Sequence, residues 1–308
     1  MLRRVVDVEH VDMDLVDVEH VDVEHVDMEH VDMEHAQPAA SVRRCLTRWG
    51  ELEMRIASWN VNSLNVRLPH LQQWLDEAKP DVVCLQETKL EDARFPEDAL
   101  LERGWRSAFA GQKTYNGVAI LARSAITDVQ IGNPIFADPQ QRVIAATVGG
   151  VRIINLYVVN GQAVGTDKYA YKLNWLEAAH AWIGAELAIH RELCVLGDFN
   201  IAPDDRDVHD PLVWNDSSIL TSTAERAALR RLFDLGLHDS FRLHSDAGGQ
   251  FSWWDYRAAG FRRNLGLRID LALVSQALKA RCSGAGIDRQ PRTWERPSDH
   301  TPVWVELD

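Results

Sequence analysis

Acidic, amide and imidazole side chains recur at the ends of apolar runs in this chain. Asn60 and Asn62 follow the run RIASW, Glu87 follows DVVCLQ, Asp198 and Asn200 lie in LGDFN, and Asp299 and His300 close PSDH. Carboxylates hold hard cations through oxygen, amides donate to anionic oxygens, and histidine exchanges protons near neutrality. These are the side chains that metal and phosphate chemistry requires. Taken singly each is ordinary: an Asp or Asn after a strand is usually turn chemistry, and a Glu after an apolar run is usually solvated. Their conjunction carries the weight. Asp270 stands apart, because it interrupts the apolar run LRIDLAL, where a carboxylate costs several kcal/mol unless it is paired or hydrogen-bonded. It needs a partner, and His300 or a metal would serve.

Strand ends let a packed sheet present rigid groups to one common edge, so the spacing of strands matters next. Arg55 to Val61 reads as a strand, and Leu68, Leu71, Leu75 and Ala78 then recur at helical spacing before the Lys79-Pro80 stop. Short apolar runs of the kind found in buried strands follow at Asp81 to Gln86, Gly117 to Ala122, Val143 to Val148, Val151 to Val159 and Leu193 to Leu196. A long helix is expected from about Asp167 to His190, with Leu173, Leu176, Ile183 and Leu187 on one face. Another is expected after Ser222, where Glu225 completes a capping box, Ala228, Leu229, Leu232 and Phe233 form the stripe, and Gly236 supplies the stop. Further strands are expected near Gln250 to Tyr256, Leu267 to Val274 and Pro302 to Glu306. Alternating strands and helices point to an α/β domain, and no linker divides residues 54 to 308.

The net charge of −13 is unevenly spread. Residues 1 to 35 carry twelve acids against two arginines, whereas residues 54 to 308 carry 32 acids against 28 bases. The first segment repeats VDVEH or VDMEH with a period of five, which matches neither helix nor strand, so an acidic, solvated tail is expected for residues 1 to 53. Its histidines, His10, His20, His25, His30 and His35, offer weak sites for transition metals as a second reading. A start of the natural protein at Met54 is a third. The four cysteines lie far apart with no CxxC pair, which implies neither disulfides nor zinc. No run approaches the ~18 to 20 apolar residues of a membrane span, so a cytoplasmic protein is expected.

RIASWNVNSLNVRLPH, DVVCLQETK, YNGVAILAR, VLGDFNIAPDDRDVHD, FSWWDYRAAGFRRNLGLRIDLALVS and RPSDHTPVW follow one another in the order seen in the exodeoxyribonuclease III family. The chain resembles that family over essentially all of residues 54 to 308. The resemblance implies the fold of the endonuclease/exonuclease/phosphatase superfamily: a four-layered α/β sandwich of two packed, mostly antiparallel or mixed β-sheets flanked by helices, with the active site at one edge. It also implies Mg²⁺, with Mn²⁺ as a substitute, bound chiefly by Glu87, with Asn60 close by and Asp299 as a further ligand. His300 resembles the catalytic histidine with Asp270 oriented towards it, Asp198 the residue that handles the proton of water or leaving group, Asn200 the phosphate-orienting amide, and Tyr157 the active-site tyrosine.

For the substrate, Trp253, Trp254 and Leu267 resemble the lining of a pocket for an extruded abasic sugar, with ordinary core packing as the second reading, above all for Trp254. Arg257, Arg262, Arg263 and Arg268, followed by Arg289, Arg292 and Arg296, form a local basic excess able to neutralise DNA phosphates. The implied activity is incision of duplex DNA 5′ to abasic sites and removal of nucleotides or blocking groups from 3′ ends, by a monomer associated with the nucleoid. The same catalytic set serves phosphatases with other substrates, and fold alone does not choose. The segment GFRRNLGLRIDLALVS looks like the DNA-repair branch. A non-catalytic binding protein of this fold would have lost part of the set, and here Asn60, Glu87, Tyr157, Asp198, Asn200, Asp270, Asp299 and His300 are all present.

Overall fold

The computed structural model describes residues 53–308, so the expectations for the acidic repeat lie outside the described residues. The apolar runs become strands because each is hidden on both faces. β1 (Met54–Asn60), β2 (Val82–Gln86), β3 (Arg106–Ala110) and β4 (Val118–Ala122) enter one sheet. β5 (Ile126–Ile131), β6 (Val143–Val148), β7 (Val151–Tyr157), β8 (Leu193–Asp198) and the short β9 (His238–Asp239) enter a second. β10 (Trp253–Trp254) and β11 (Gly266–Leu267) form a small ribbon beside them. β12 (Asp270–Val274) belongs to the second sheet, and β13 (Cys282–Ile287) and β14 (Val303–Leu307) to the first.

The first sheet runs β13-β14-β1-β2-β4-β3 and the second β5-β6-β7-β8-β12-β9. Only β1 with β2 and β7 with β8 are parallel; every other pair in these sheets is antiparallel. The two parallel pairs send the ends of β1, β2, β7 and β8 to one edge of the sandwich. Between the sheets lie Ile56, Val82, Cys84 and Ile120 from one and Ile144, Ile153, Cys194, Leu196 and Val274 from the other. Helix α1 (Leu64–Ala78) covers the outer face of the first sheet, where Trp59, Leu71, Trp74 and Leu75 pack together. The outer face of the second is covered by α3 (Asp167–Ile189) and α4 (Thr223–Asp234), after the short α2 (Glu97–Leu101) has bridged β2 to β3. The expected four-layered sandwich is the observed one.

Two differences from the sequence pattern shape the site. The expected strand Leu267 to Val274 breaks at Arg268 and Ile269, because Arg268 turns inward to an ion pair and the amides of Ile269 and Asp270 donate to the Ser252 hydroxyl at 3.1 and 3.0 Å. The long helix matches its expected span to a residue, yet its buried face also carries Lys172, which is fully enclosed. The Ser222–Glu225 capping box forms as expected. Short helices α5 (Ser240–His244) and α6 (Gln276–Lys279) complete the chain, and among the described residues no helix is long and apolar enough to cross a membrane.

Candidate active site

Each chemical side chain sits at or just past a strand end. Asn60 ends β1, Glu87 follows β2, Tyr157 ends β7 and Asp198 ends β8, with Asp270 opposite Asp198 at the start of β12. Gly197 allows this convergence, since a Cβ there would lie 1.9 Å from the Leu156 carbonyl oxygen of the adjoining strand. The loop carrying His300 is tied to β1: Ser298 donates its hydroxyl to the Asn60 carbonyl at 2.7 Å, and the Trp59 indole donates to the His300 carbonyl at 3.3 Å.

Glu87 is held on both sides by backbone bonds that extend the sheet. The Ser63 amide donates to the Glu87 carbonyl at 2.8 Å, and the Lys89 amide donates to that of Asn116 at 2.9 Å. Asn62, Ser63, Glu87, Lys89 and Asn200 all adopt positive φ, between 42° and 88°. Left-handed backbone is costly for side-chain-bearing residues and persists where the surroundings over-determine it, as they do here.

Asn60 donates from Nδ2 to Glu87 Oε1 at 2.8 Å and to Asp198 Oδ2 at 2.9 Å, which locks the two carboxylates together. The Asn200 amide donates to Asp198 Oδ1 at 2.9 Å, and its side-chain Nδ2 reaches Asp198 Oδ2 at 3.3 Å. His300 turns Nδ1 to Asp270, 2.9 Å from Oδ2, and places Nε2 3.7 Å from Asp198 Oδ2. The partner that Asp270 required is therefore His300. Ligand atoms of Glu87, Asp198 and His300 all lie within 4.8 Å of one another.

The electrostatics separate their roles. Burial pushes the Glu87 carboxyl up, but Lys89, 2.7 Å from Oε2, and the Asn60 amide outweigh it and hold the group below the ordinary range. Glu87 is an anion throughout the neutral range. Burial also pushes Asp198 up, with His300 pulling against it and Asp270 adding to it, so this carboxyl is much the weaker acid of the two. Burial alone would lower His300, yet Asp270 and then Asp198 overcome that and raise it to about 10. Tyr157 is driven well above its ordinary value by burial and by the nearby Glu87 and Asp198, so it stands beside them as a neutral phenol.

Two carboxylates with oxygen donors suit a divalent cation, and Glu87 is the one most firmly held as an anion. Asn60, expected near the metal, presents its nitrogen to Glu87 and Asp198, while its oxygen accepts from the Asn62 amide at 3.0 Å. As placed it orients the carboxylates. Asp299 stands outside the three-residue cluster, its oxygens taken by Asn62 Nδ2 at 2.8 Å and the Trp253 indole at 3.1 Å.

The expected DNA contacts divide. Arg257, Arg262 and Arg263 face solvent, Arg257 in a local pair with Asp255. Arg268 does not: 1% exposed, it is ion-paired to Asp207 at 2.6 Å and Asp239 at 2.7 Å, and so is a buried structural arginine. Arg292 is likewise buried against Trp254, Tyr256 and Phe261. Trp254 is core, as its alternative reading had it. Trp253 is half-buried, its ring edge-on to Trp214 at 6.5 Å, but Leu267 has no exposed surface and packs with Val208 and Leu220. As it stands Leu267 offers no wall to an open pocket. Sequence reasoning missed Lys89, Lys172 and Arg142, whose guanidinium stacks 4.7 Å over the Tyr157 ring. Lys89 lay two residues past Glu87 in QETK, which was signal enough; the other two are legible only in three dimensions.

A model described as the endonuclease/exonuclease/phosphatase family matches residues 57–300. Exodeoxyribonuclease III of Haemophilus influenzae is 36% identical over 268 residues, covering 82% of this chain and all of that protein. A 3′ phosphatase from Neisseria, solved with a product DNA hairpin, is 50% identical with a TM-score of 0.81, covering 83% of this chain and 99% of that one. An AP endonuclease from Archaeoglobus fulgidus is 35% identical with a TM-score of 0.79, over 83% and 99% of the two chains.

Proposed function

The chain belongs to the endonuclease/exonuclease/phosphatase family, in its exodeoxyribonuclease III group, and from that premise we propose how the edge of the sandwich acts as a DNA-repair phosphodiesterase. The single observation that carries the reading is the cluster of Glu87, Asp198 and His300, backed by Asp270, at one edge of the two sheets. Glu87, with Asp198 beside it, would hold Mg²⁺, or Mn²⁺ as a substitute. When bound it supplies positive charge against the oxygens of the scissile phosphate.

The protein's own groups do the rest. Asp198, pushed up by burial, accepts a proton from the attacking water and is well matched to return it to the leaving oxygen. His300, an imidazolium at neutral pH because of Asp270, donates from Nε2 to a non-bridging oxygen, and Asn200 exchanges its contact with Asp198 for one with the phosphate. Tyr157 keeps its proton and orients Glu87. Asn60 fixes the distance between the two carboxylates. Arg257, Arg262 and Arg263 meet backbone phosphates along the duplex.

The substrates are 3′ blocking groups and nucleotides at duplex ends, and the backbone 5′ to abasic sites, handled by a monomer. The burial of Leu267 favours 3′-end processing as the stronger of the two, since a pocket for an extruded sugar needs a wall that Leu267 does not present. Rates on a nicked duplex ending in a 3′-phosphate and on a duplex with one tetrahydrofuran abasic analogue test this directly. The 3′-phosphate is expected to be removed faster; faster incision at the abasic analogue would place abasic sites first.

A further inference from the structure

Lys172 is enclosed on α3 with no exposed surface, and each proton of its ammonium has an acceptor. It donates to the Asn200 carbonyl at 2.7 Å, to the Asn160 carbonyl at 3.1 Å and to the Glu225 carboxylate. Glu225 is equally enclosed and caps the start of α4, accepting from the amides of Leu220 and Ser222 at 3.1 Å each. One buried cation thus joins the loop after β7, the loop after β8 and the cap of α4.

A stabilising cross-link would need only the Glu225 pair. The two carbonyls are the telling contacts, because both belong to residues beside the phosphate chemistry. Asn200 has a positive φ of 49°, which points its carbonyl back towards α3 and its side chain forward to the site. Asn160 reinforces this, donating its side-chain amide to Asn200 Oδ1 at 3.2 Å, so that Asn200 Nδ2 is left to face Asp198 and the Val158 carbonyl. The chain also leaves room for the lysine stem: a Cβ on Gly161, whose φ is 92°, would lie 3.0 Å from Lys172 Cδ.

We propose that Lys172 is a positioning residue for the reaction, holding Asn200 in its left-handed conformation so that the amide is pre-aimed at the scissile phosphate. This rests on the phosphodiesterase reading of the site. A group that must be held in place before charge develops raises turnover when it is fixed and costs turnover, not substrate affinity, when it is loose.

The test is a double-mutant cycle in steady-state cleavage with Mg²⁺, using Lys172→Met/Glu225→Gln, a neutral pair that leaves no buried charge, against Asn200→Ala. Melting temperatures report folding separately. With Asn200 present, the neutral pair is expected to lower kcat at least tenfold with KM within about threefold. In the Asn200→Ala background the same pair is expected to lower kcat no further, because the group it positions is gone. Additive losses, or a kcat that follows melting temperature, overturn the inference. Where the neutral pair does not fold, Lys172→Arg serves in the same cycle, since it keeps the charge beside Glu225 but cannot place one nitrogen on both carbonyls. A wild type that cleaves, loses activity in Asn200→Ala and ignores Lys172 sinks this inference alone; a wild type that cleaves nothing sinks the phosphodiesterase reading with it.

Discussion

At the scale of residues, which groups are charged decides what each can do. His300 has its pKa raised to about 10, so its pairing with Asp270 stabilises the fold fully below the ordinary histidine value of about 6.5 and is lost as pH rises through about 10. In Asp270→Asn the largest influence raising that value is removed while burial still lowers it, so the alkaline limb of the rate profile moves to lower pH. A profile of kcat/KM for both proteins checks this, and an unmoved limb would mean that another group sets it. The melting-temperature gap between the two proteins is also expected to narrow as pH approaches 10. The side chains that meet at the edge of the sandwich were legible in the sequence because phosphate chemistry, the activity proposed for them, demands a small choice of side chains at strand ends. The partnership of Asp270 with His300 was half legible: an acid inside an apolar run announces that it needs a partner, but not which one.

At the scale of elements, the runs that are buried on both faces were readable, and the edge strands were not. β2, β4, β6 and β8 are short apolar blocks, whereas β3 begins with an exposed Arg106, β5 is largely exposed and β13 contains two glycines. Edge strands lack the burial that writes an apolar pattern. Arg268 shows the converse limit. Its place in GLRID resembled a DNA contact, and only the fold brings Asp207, sixty-one positions earlier, and Asp239 to meet it. Arg268→Met would leave the buried Asp239 carboxylate without its cation while Asp207 retains Arg242, and is expected to cost about 3–5 kcal/mol in urea unfolding. The salt dependence of DNA binding should not change in that variant. Arg262→Ala and Arg263→Ala should do the reverse, leaving stability within about 0.5 kcal/mol and lowering the slope of log K against log salt by about one each. Identical behaviour of Arg268 and Arg262 variants would undo this division.

For the whole molecule the question is how an acidic chain approaches an anionic substrate. The charge is concentrated at the N-terminus, and residues 54 to 308 come close to balance. A chain beginning at Met54 lacks the acidic repeat and is expected to bind duplex DNA more tightly at low salt. That difference should vanish as salt screens it. The repeat was legible as a repeat, but its period of five matches no regular element, so the sequence offered no packing role for it. At the edge of the sandwich the two sheets bring Glu87, Asp198 and His300 together. Cleavage of a duplex with a blocked 3′ end and of one with an abasic analogue, in Mg²⁺ and in EDTA, compares wild type with Glu87→Ala and His300→Ala. Cleavage that needs the cation and falls by at least a hundredfold in both variants is the predicted result, in keeping with the ~100-fold cost of losing one such group. Cleavage that survives EDTA, or that either variant retains at the wild-type rate, would contradict the assignment of the site.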